Sequence, residues 1–399
     1  MCKPLSIKAS AVQPSATLSI DSKFKQMKAD GMDVVGFGAG EPDFDTPQHI
    51  KDAAVEALNK GFTKYTPASG MLELKKAICE KFERDNGLHY EPNQIVVSNG
   101  AKHSLFNALN ALCNTGDEVI IPSPFWVSYT EMIYMADAIP VPIETTEAAE
   151  FKITPLQLQE AITPRTKVLM LNSPCNPTGM IYSEKELRAI ADICVENDIY
   201  VISDEIYEKL IYDGQSHVSI ASFNDRIKDL TIVINGVSKS YAMTGWRIGY
   251  SASNPRIARV MSNFQSHAAS NPNSIAQYAT IAALRGPQDE VEKMRVAFGK
   301  RRDYMVERMN SIDKVHCIKP HGAFYVMMNL SKLIGTKLYG HTIHNADDFC
   351  QLFLDKAGVA LVPGTSFHAP HHCRWSYATS RKNIEEGLTR LEKFLNEEY

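Results

Sequence analysis

Along the middle of the chain, short apolar runs alternate with polar or glycine-rich breaks. The runs Ile95–Ser98, Glu118–Ile121, Lys167–Asn172, Ile199–Ser203, Thr231–Asn235 and Arg247–Ser251 read as strands. Several carry β-branched residues at odd and even positions alike, the pattern of strands covered on both faces. Between them, apolar residues recur at helical spacing over Ala101–Leu112, Ser183–Glu196, Ser274–Leu284 and Asp289–Met309. Ser183 followed three residues later by Glu186 is a capping box that opens a helix. This alternation predicts an α/β fold: a large domain with a mostly parallel sheet between helices.

The two ends carry different patterns. Beyond the long helix from Asp289, a strand is expected at 322–329, a helix at 346–357, strands at 358–362 and 374–378, and a closing helix. That is a smaller α+β domain. The segment before about Pro47 has too few periodic apolar positions to fold alone. It is expected to pack on the C-terminal piece or on a partner. The predicted division is an N-terminal segment at 1–46, a large domain at 47–288 and a small domain at 289–399.

Composition narrows the function. The chain has 399 residues, 44% hydrophobic and 22% charged, which fits a folded protein with a large core and excludes a disordered chain. Its 42 Lys plus Arg against 46 Asp plus Glu give a net charge of −4, which argues against a general nucleic-acid binder. No run approaches the roughly 20 apolar residues of a membrane helix, so no membrane partner is expected. The start, MCKPLSIKASAVQPSAT, lacks the apolar stretch of a secretory signal. The eight cysteines, at 2, 79, 113, 175, 194, 317, 350 and 373, form no C-x-x-C and are too sparse for a disulfide scaffold. They read as free thiols, and the expected compartment is the cytoplasm.

Two motifs are decoys. Gly36-Phe37-Gly38-Ala39-Gly40 resembles a dinucleotide loop, but the sixth position is Glu41, and Pro42 and Asp43 follow instead of a helix. A carboxylate beside a pyrophosphate is electrostatically unfavourable. His368, His371, His372 and Cys373 suggest zinc, yet the usual ligand spacings are missing and Pro370 breaks any helix that would align them. They read as a surface loop, and no metal is expected.

Four other sites fit one chemistry. Lys239 follows the Thr231–Asn235 strand, flanked by Ser238 and Ser240. A desolvated lysine there can attack a carbonyl. Arg247, set between glycines and apolar residues, suits a phosphate. Its bland alternative is a structural ion pair. Asp204 ends the Ile199–Ser203 strand, with Tyr207 three residues on. Such a carboxylate can keep a pyridine nitrogen protonated, or merely cap a helix. Asn176 sits in the rigid turn Asn172–Gly179. A phosphate cradle is also available where Ser98-Asn99-Gly100 leads into the helix at Ala101. Each feature alone is weak. Together they meet at strand ends of one predicted sheet, where α/β folds bind ligands.

Seven segments carry a resemblance: AGEPDFDTP (39–47), KYTPASG (64–70), SPFWVSY (123–129), NSPCNPTG (172–179), SDEIYEKL (203–210), SKSYAMTGWRIGY (238–250) and RWSYATS (374–380). From Pro14 to about Phe394 the chain resembles the class I pyridoxal-phosphate aminotransferases of fold type I, and within them the bacterial aspartate aminotransferases. The resemblance implies pyridoxal 5′-phosphate as cofactor and Lys239 as its Schiff-base lysine and proton shuttle. It implies Asp204 at the pyridine nitrogen, Tyr207 and Asn176 at the phenolic oxygen, and Trp126 stacked on the ring. Gly100, Ala101, Lys102, Ser238 and Arg247 would surround the phosphate, joined by Tyr65 from a second subunit of a homodimer. Arg374 would grip the substrate α-carboxylate with Asn176 and the Gly40 backbone.

Specificity follows from finer matches. Many relatives bind the distal carboxylate with an Arg from the neighbouring subunit, expected here at Gln265 or Ser266, where none stands. Lys102, Ser15 and Thr17 match the subgroup that uses a lysine and N-terminal hydroxyls instead. The implied reaction is ping-pong amino transfer from L-aspartate to 2-oxoglutarate. Alternatives are aromatic, alanine or prephenate specificity, a carbon–sulfur lyase on the same scaffold, or, from another class, a non-catalytic metal-binding module.

Overall fold

The computed structural model describes residues 3–399. Seven strands form one sheet: β1 (Ile95–Ser98), β2 (Glu118–Pro122), β3 (Ile139–Ile143), β4 (Thr166–Asn172), β5 (Tyr200–Asp204), β6 (Thr231–Gly236) and β7 (Gly249–Ala252). Their spatial order is β1-β7-β6-β5-β4-β2-β3. Neighbours are parallel except at β7, which runs antiparallel to both β1 and β6. Alternation along the strands sends side chains to two cores. Val119, Val168 and Ile202 pack with the helices Ala101–Leu112 and Pro255–Ala268, while Ile120, Leu169 and Val201 pack with the helix Glu184–Glu196. Coverage on both faces accounts for the apolar runs. The Ser183–Glu186 capping box is formed as expected.

Two details differ from the strand pattern read above. β3, Ile-Pro-Val-Pro-Ile, was hidden by its prolines. It lies at the sheet edge, where an amide facing outward needs no partner and proline is tolerated. β7 starts at Gly249 instead of Arg247, because Arg247 takes a left-handed conformation (φ 57°) that turns the chain before the strand begins.

The C-terminal piece contains a three-stranded antiparallel sheet of Tyr325–Asn329, Val362–Pro363 and His372–Ser376. The run expected at 358–362 splits at Leu361. Its first half, Val359–Ala360, pairs with Val35–Gly36, and its second half pairs with the Arg374 strand. That last strand lies two residues earlier than expected, in register with Tyr325–Asn329. The N-terminal segment lies against these elements: Phe37 packs on Trp375 (centroids 4.6 Å apart) and Asp33 pairs with Arg390 at 2.7 Å.

The seven described cysteines are free; Cys2 lies outside the described residues. Among the described residues, no helix is long and apolar enough to cross a membrane.

Candidate active site

β4, β5 and β6 end at the same edge of the sheet at which the antiparallel β7 begins. This reversal brings Arg247 to the side where Asn172, Asp204 and Ser238 emerge. A cavity of about 450 Å³ opens there. It is lined by Ser15, Thr17, Gly40, Ala101, Lys102, Trp126, Asn176, Asp204, Tyr207, Ser238, Lys239, Arg247 and Arg374, among others. The structure therefore brings together all but two of the residues singled out above. Gly100 stands just behind the rim. Tyr65 is 91% exposed and lies outside the cavity of its own chain.

Lys239 is half-buried just past β6, its Nζ donating to Gly40 O. The Tyr207 and Phe324 rings lie 5.9 and 6.0 Å from this nitrogen. Burial pulls its pKa down to about 8; Arg374 and Arg247 push the same way, against the opposing pull of Glu41. An amine near neutrality is a usable nucleophile and base. Capture of an aldehyde such as pyridoxal phosphate by the free chain is expected to speed up about tenfold per pH unit below pH 8, then level off. A stopped-flow series across that range checks it; a rate still climbing toward the ordinary lysine value would show the amine unperturbed.

At the cavity floor Asp204 is buried. Tyr129 Oη donates to its Oδ2 at 2.7 Å, and the Ile206 amide to Oδ1 at 3.3 Å. Burial raises its pKa to about 6, and these two donors restrain the rise. A buried carboxylate of this kind gains most from a cationic partner. Asn172 holds the neighbouring turn: its Nδ2 donates to Asp204 O at 2.9 Å and its Oδ1 accepts from the Asn176 amide at 2.7 Å.

The opposite end is built for an anion. Gly100 caps the helix Ala101–Leu112 with φ 84°, and a Cβ at Gly100 would lie 2.2 Å from Arg247 Nη2. Gly249 lets the same loop approach closely, since a Cβ there would lie 2.2 Å from the Ala101 amide. Arg247 is exposed although apolar residues flank it in the sequence. Its guanidinium donates only to the carbonyls of Thr244 (2.9 Å) and Asn99 (3.2 Å), so the alternative of a structural ion pair is not observed. Lys102 stands 4.7 Å over the Trp126 ring, its pKa lowered by burial and by Arg247. An acid at one end, an amine at the side and a cationic helix N-terminus at the other fit a phosphorylated pyridine aldehyde.

Arg374 is 1% exposed. Its Nη1 donates to Asn176 Oδ1 and its Nη2 to Gly38 O, both at 2.9 Å, while its Nε has no partner. The Tyr325 and Phe367 rings lie 4.3 and 5.1 Å from the guanidinium carbon. No carboxylate within the described residues pairs with it. A buried cation lacking a counter-ion at a cavity wall is a receptor for one.

Several expectations are corrected in detail. The glycine run at 36–40 serves the site through its carbonyls, on Arg374 and Lys239. Gln265 is buried and committed to Ser98, Asn107 and the carbonyls of Ala68 and Val97, and Ser266 Oγ donates to Asn263 O, so neither offers a substrate contact from this chain's own fold. The histidine loop is only partly at the surface: His368 and His371 are exposed, but Cys373 is buried and His372 packs against Phe151. Glu205, Glu208 and His217 do gather within 4.8 Å of one another, but Glu208 is engaged by Lys81 and Asn86, Glu205 by Ser203 and Ser219, and His217 Nε2 by Glu205 Oε2. Sequence reasoning missed Tyr129 and Tyr325. The first lies within the SPFWVSY segment. The second sits in a strand whose apolar run concealed a phenol bonded to Tyr207 Oη at 2.9 Å.

A family model described as aminotransferase class I and II matches residues 32–391. The chain is 49% identical to the aspartate aminotransferase of Bacillus subtilis over 98% of both chains. It is 45% identical to the aspartate/prephenate aminotransferase of Nitrosomonas europaea, over 98% of this chain and 100% of that one. The crystal structure of the aspartate aminotransferase from Rhizobium meliloti superposes with a TM-score of 0.96 at 41% identity, covering 99% and 100% of the two chains.

Proposed function

Because the chain belongs to the class I and II aminotransferase family, we propose that it moves the amino group of L-aspartate to 2-oxoglutarate at the cavity around Lys239. The observation that carries this is Arg374, a buried cation with no carboxylate of its own, on the wall of the cavity that holds Lys239 and Asp204. Pyridoxal 5′-phosphate is the implied cofactor, and the residues fit it. Bound, it supplies an electron sink for the carbon that loses its proton. Arg247, Ser238 and the first amides of the helix at Ala101 would hold its phosphate, with Gly100 and Lys102. Asp204 would pair with its ring nitrogen, Tyr207 and Asn176 with its phenolic oxygen, and Trp126 would cover its ring. Lys239 would hold its aldehyde.

The chain's own residues then divide the work. Arg374, oriented by Asn176 and the Gly38 carbonyl, fixes the donor's α-carboxylate so that its Cα faces the Lys239 amine. That amine takes the Cα proton and later returns one. Asp204 stays charged against its cationic partner and holds the ring position. Ser15 and Thr17, bonded to each other at 3.0 Å, bring the N-terminal helix to the rim, where its closure would exclude water.

Aspartate specificity rests on Lys102, a second cation on the cavity wall with no carboxylate partner among the described residues. Replacing Lys102 with serine is expected to lower kcat/KM for aspartate at least about tenfold while leaving alanine within about twofold. Steady-state rates with both donors test this, and equal losses would assign Lys102 to the phosphate alone. The likeness to an aspartate/prephenate aminotransferase supports a second acceptor, prephenate, so the assay includes it.

The same reading makes the protein a cytoplasmic homodimer divided at 1–46, 47–288 and 289–399. The exposed Tyr65 and the exposed apolar Val55, Leu58 and Leu72, close to it along the chain, support a subunit contact that would deliver Tyr65 to the neighbour's phosphate.

A further inference from the structure

The last residue of β5 and the turn after it present two pairs of acidic or phenolic groups in opposite directions. Asp204 and Tyr207 line the cavity, while Glu205 and Glu208 are 1% and 7% exposed and point into the protein behind it. Burying two carboxylates is costly unless each is fully satisfied. Both are. Glu205 Oε1 accepts from Ser203 Oγ (2.8 Å) and Ser219 Oγ (2.7 Å), and its Oε2 meets His217 Nε2 at 2.8 Å. Glu208 pairs with Lys81 and accepts from Asn86 Nδ2 at 3.0 Å. The helix Leu72–Asn86 and the 217–219 segment thus grip the turn from two sides. Its own amides close it: Ile206 on Asp204 Oδ1, and Glu208 on Glu205 O at 3.0 Å.

We propose that Glu205 and Glu208 are positioning residues: a buried two-carboxylate clamp behind the cavity that holds Asp204 and Tyr207 where the bound ring needs them. This rests on the cofactor reading above. The clamp supports from behind a short turn that Tyr129, Asn172 and Tyr325 hold from the cavity side. It also gives a role to the ion cluster beneath the site, whose Glu205, Glu208, His217 and Lys81 do not line the cavity. Burial pushes the Glu208 carboxyl up, but Lys81 and His217 outweigh that and hold it down at about 2, so Glu208 keeps its charge throughout the physiological range.

The test is Glu205→Gln, which keeps the size and the serine bonds but removes the charge that strengthens them. In the full chain without cofactor, amide hydrogen exchange at Ile206 and Glu208 is expected to quicken about fivefold, with the rest of the sheet unchanged. With pyridoxal phosphate added, its dissociation constant is expected to rise and kcat to fall by about the same factor, while KM for aspartate, set by Arg374, stays within about twofold. Ser219→Ala, a milder change, serves if the first variant folds poorly, with smaller shifts in the same direction. Unchanged exchange at the turn would overturn the clamp. So would faster exchange spread evenly over the sheet with a matching loss of melting temperature, or faster exchange at the turn with unaltered cofactor affinity and kcat. A parent chain that takes up no pyridoxal phosphate would sink the cofactor reading instead, and the exchange data would still decide whether the clamp exists.

Discussion

Lys239→Ala is expected to abolish transamination, by at least about 10⁴-fold, in a chain that still folds. The amine serves twice in the proposed cycle, as the group that holds the cofactor aldehyde and as the base at the donor's Cα. No second amine stands ready to replace it. Lys102 is drawn over Trp126 at the phosphate end, and Lys25 is paired with Asp21 at 2.7 Å. Borohydride treatment of the parent with pyridoxal phosphate should leave a label on the peptide containing residue 239, and none in the variant. Turnover within tenfold of the parent, or a label elsewhere, would reject the assignment. Stability should move the other way. Below about pH 8 the folded and unfolded chains both keep the proton on Lys239, so the folded state bears the full cost of a desolvated ammonium. Between about 8 and the ordinary lysine value of 10.5 the folded chain has released that proton and the unfolded chain has not, so this cost fades as pH rises. The variant is therefore expected to melt no lower than the cofactor-free parent at pH 7, with the difference shrinking toward pH 10.

Much of this site was legible in the sequence because strand ends are legible. β-branched runs covered on both faces announce themselves, and Asp204, Ser238 and Asn172 stand immediately at or after their last residues. What could not be read was direction. A run such as Gly249–Ala252 looks the same whether its strand is parallel or antiparallel, and only the reversal at β7 brings Arg247 to the ligand edge. Nor do apolar neighbours show that a residue is buried. Arg247 is bracketed by them, yet a left-handed turn lifts it into the open. The split at Leu361 has the same origin, since one apolar run serves two sheets at a bend that no periodicity marks. The clamp on Glu205 and Glu208 was invisible for a different reason. Its partners Lys81 and Asn86 lie far away along the chain and Ser219 in a separate segment, and only folding makes these five polar side chains into one satisfied cluster.

Arg374→Met is the second large effect, and it separates function from stability. In the proposed cycle the guanidinium would hold the donor's carboxylate by two parallel hydrogen bonds, and losing one partner of such a desolvated pair costs at least about 3 kcal/mol. The expected fall in kcat/KM for aspartate is therefore more than about a hundredfold. Lysine is not expected to rescue it, because a point charge cannot reproduce the fork that Asn176 and the Gly38 carbonyl align. For the free chain the balance is different. Arginine at this position holds a positive charge away from water with two neutral acceptors, two aromatic faces and an Nε that donates to nothing. Burial works against that charge strongly enough to lower the pKa of even this guanidinium. Methionine, similar in volume and adaptable in shape, would leave Gly38 O and Asn176 Oδ1 without donors, at about 1–3 kcal/mol each, but would remove the desolvated cation, whose cost is several kcal/mol. The two sides nearly cancel. The melting temperature of the cofactor-free chain should move by no more than a few degrees while activity collapses. A large destabilisation with activity preserved would make Arg374 a structural residue and would leave the cavity without its carboxylate receptor.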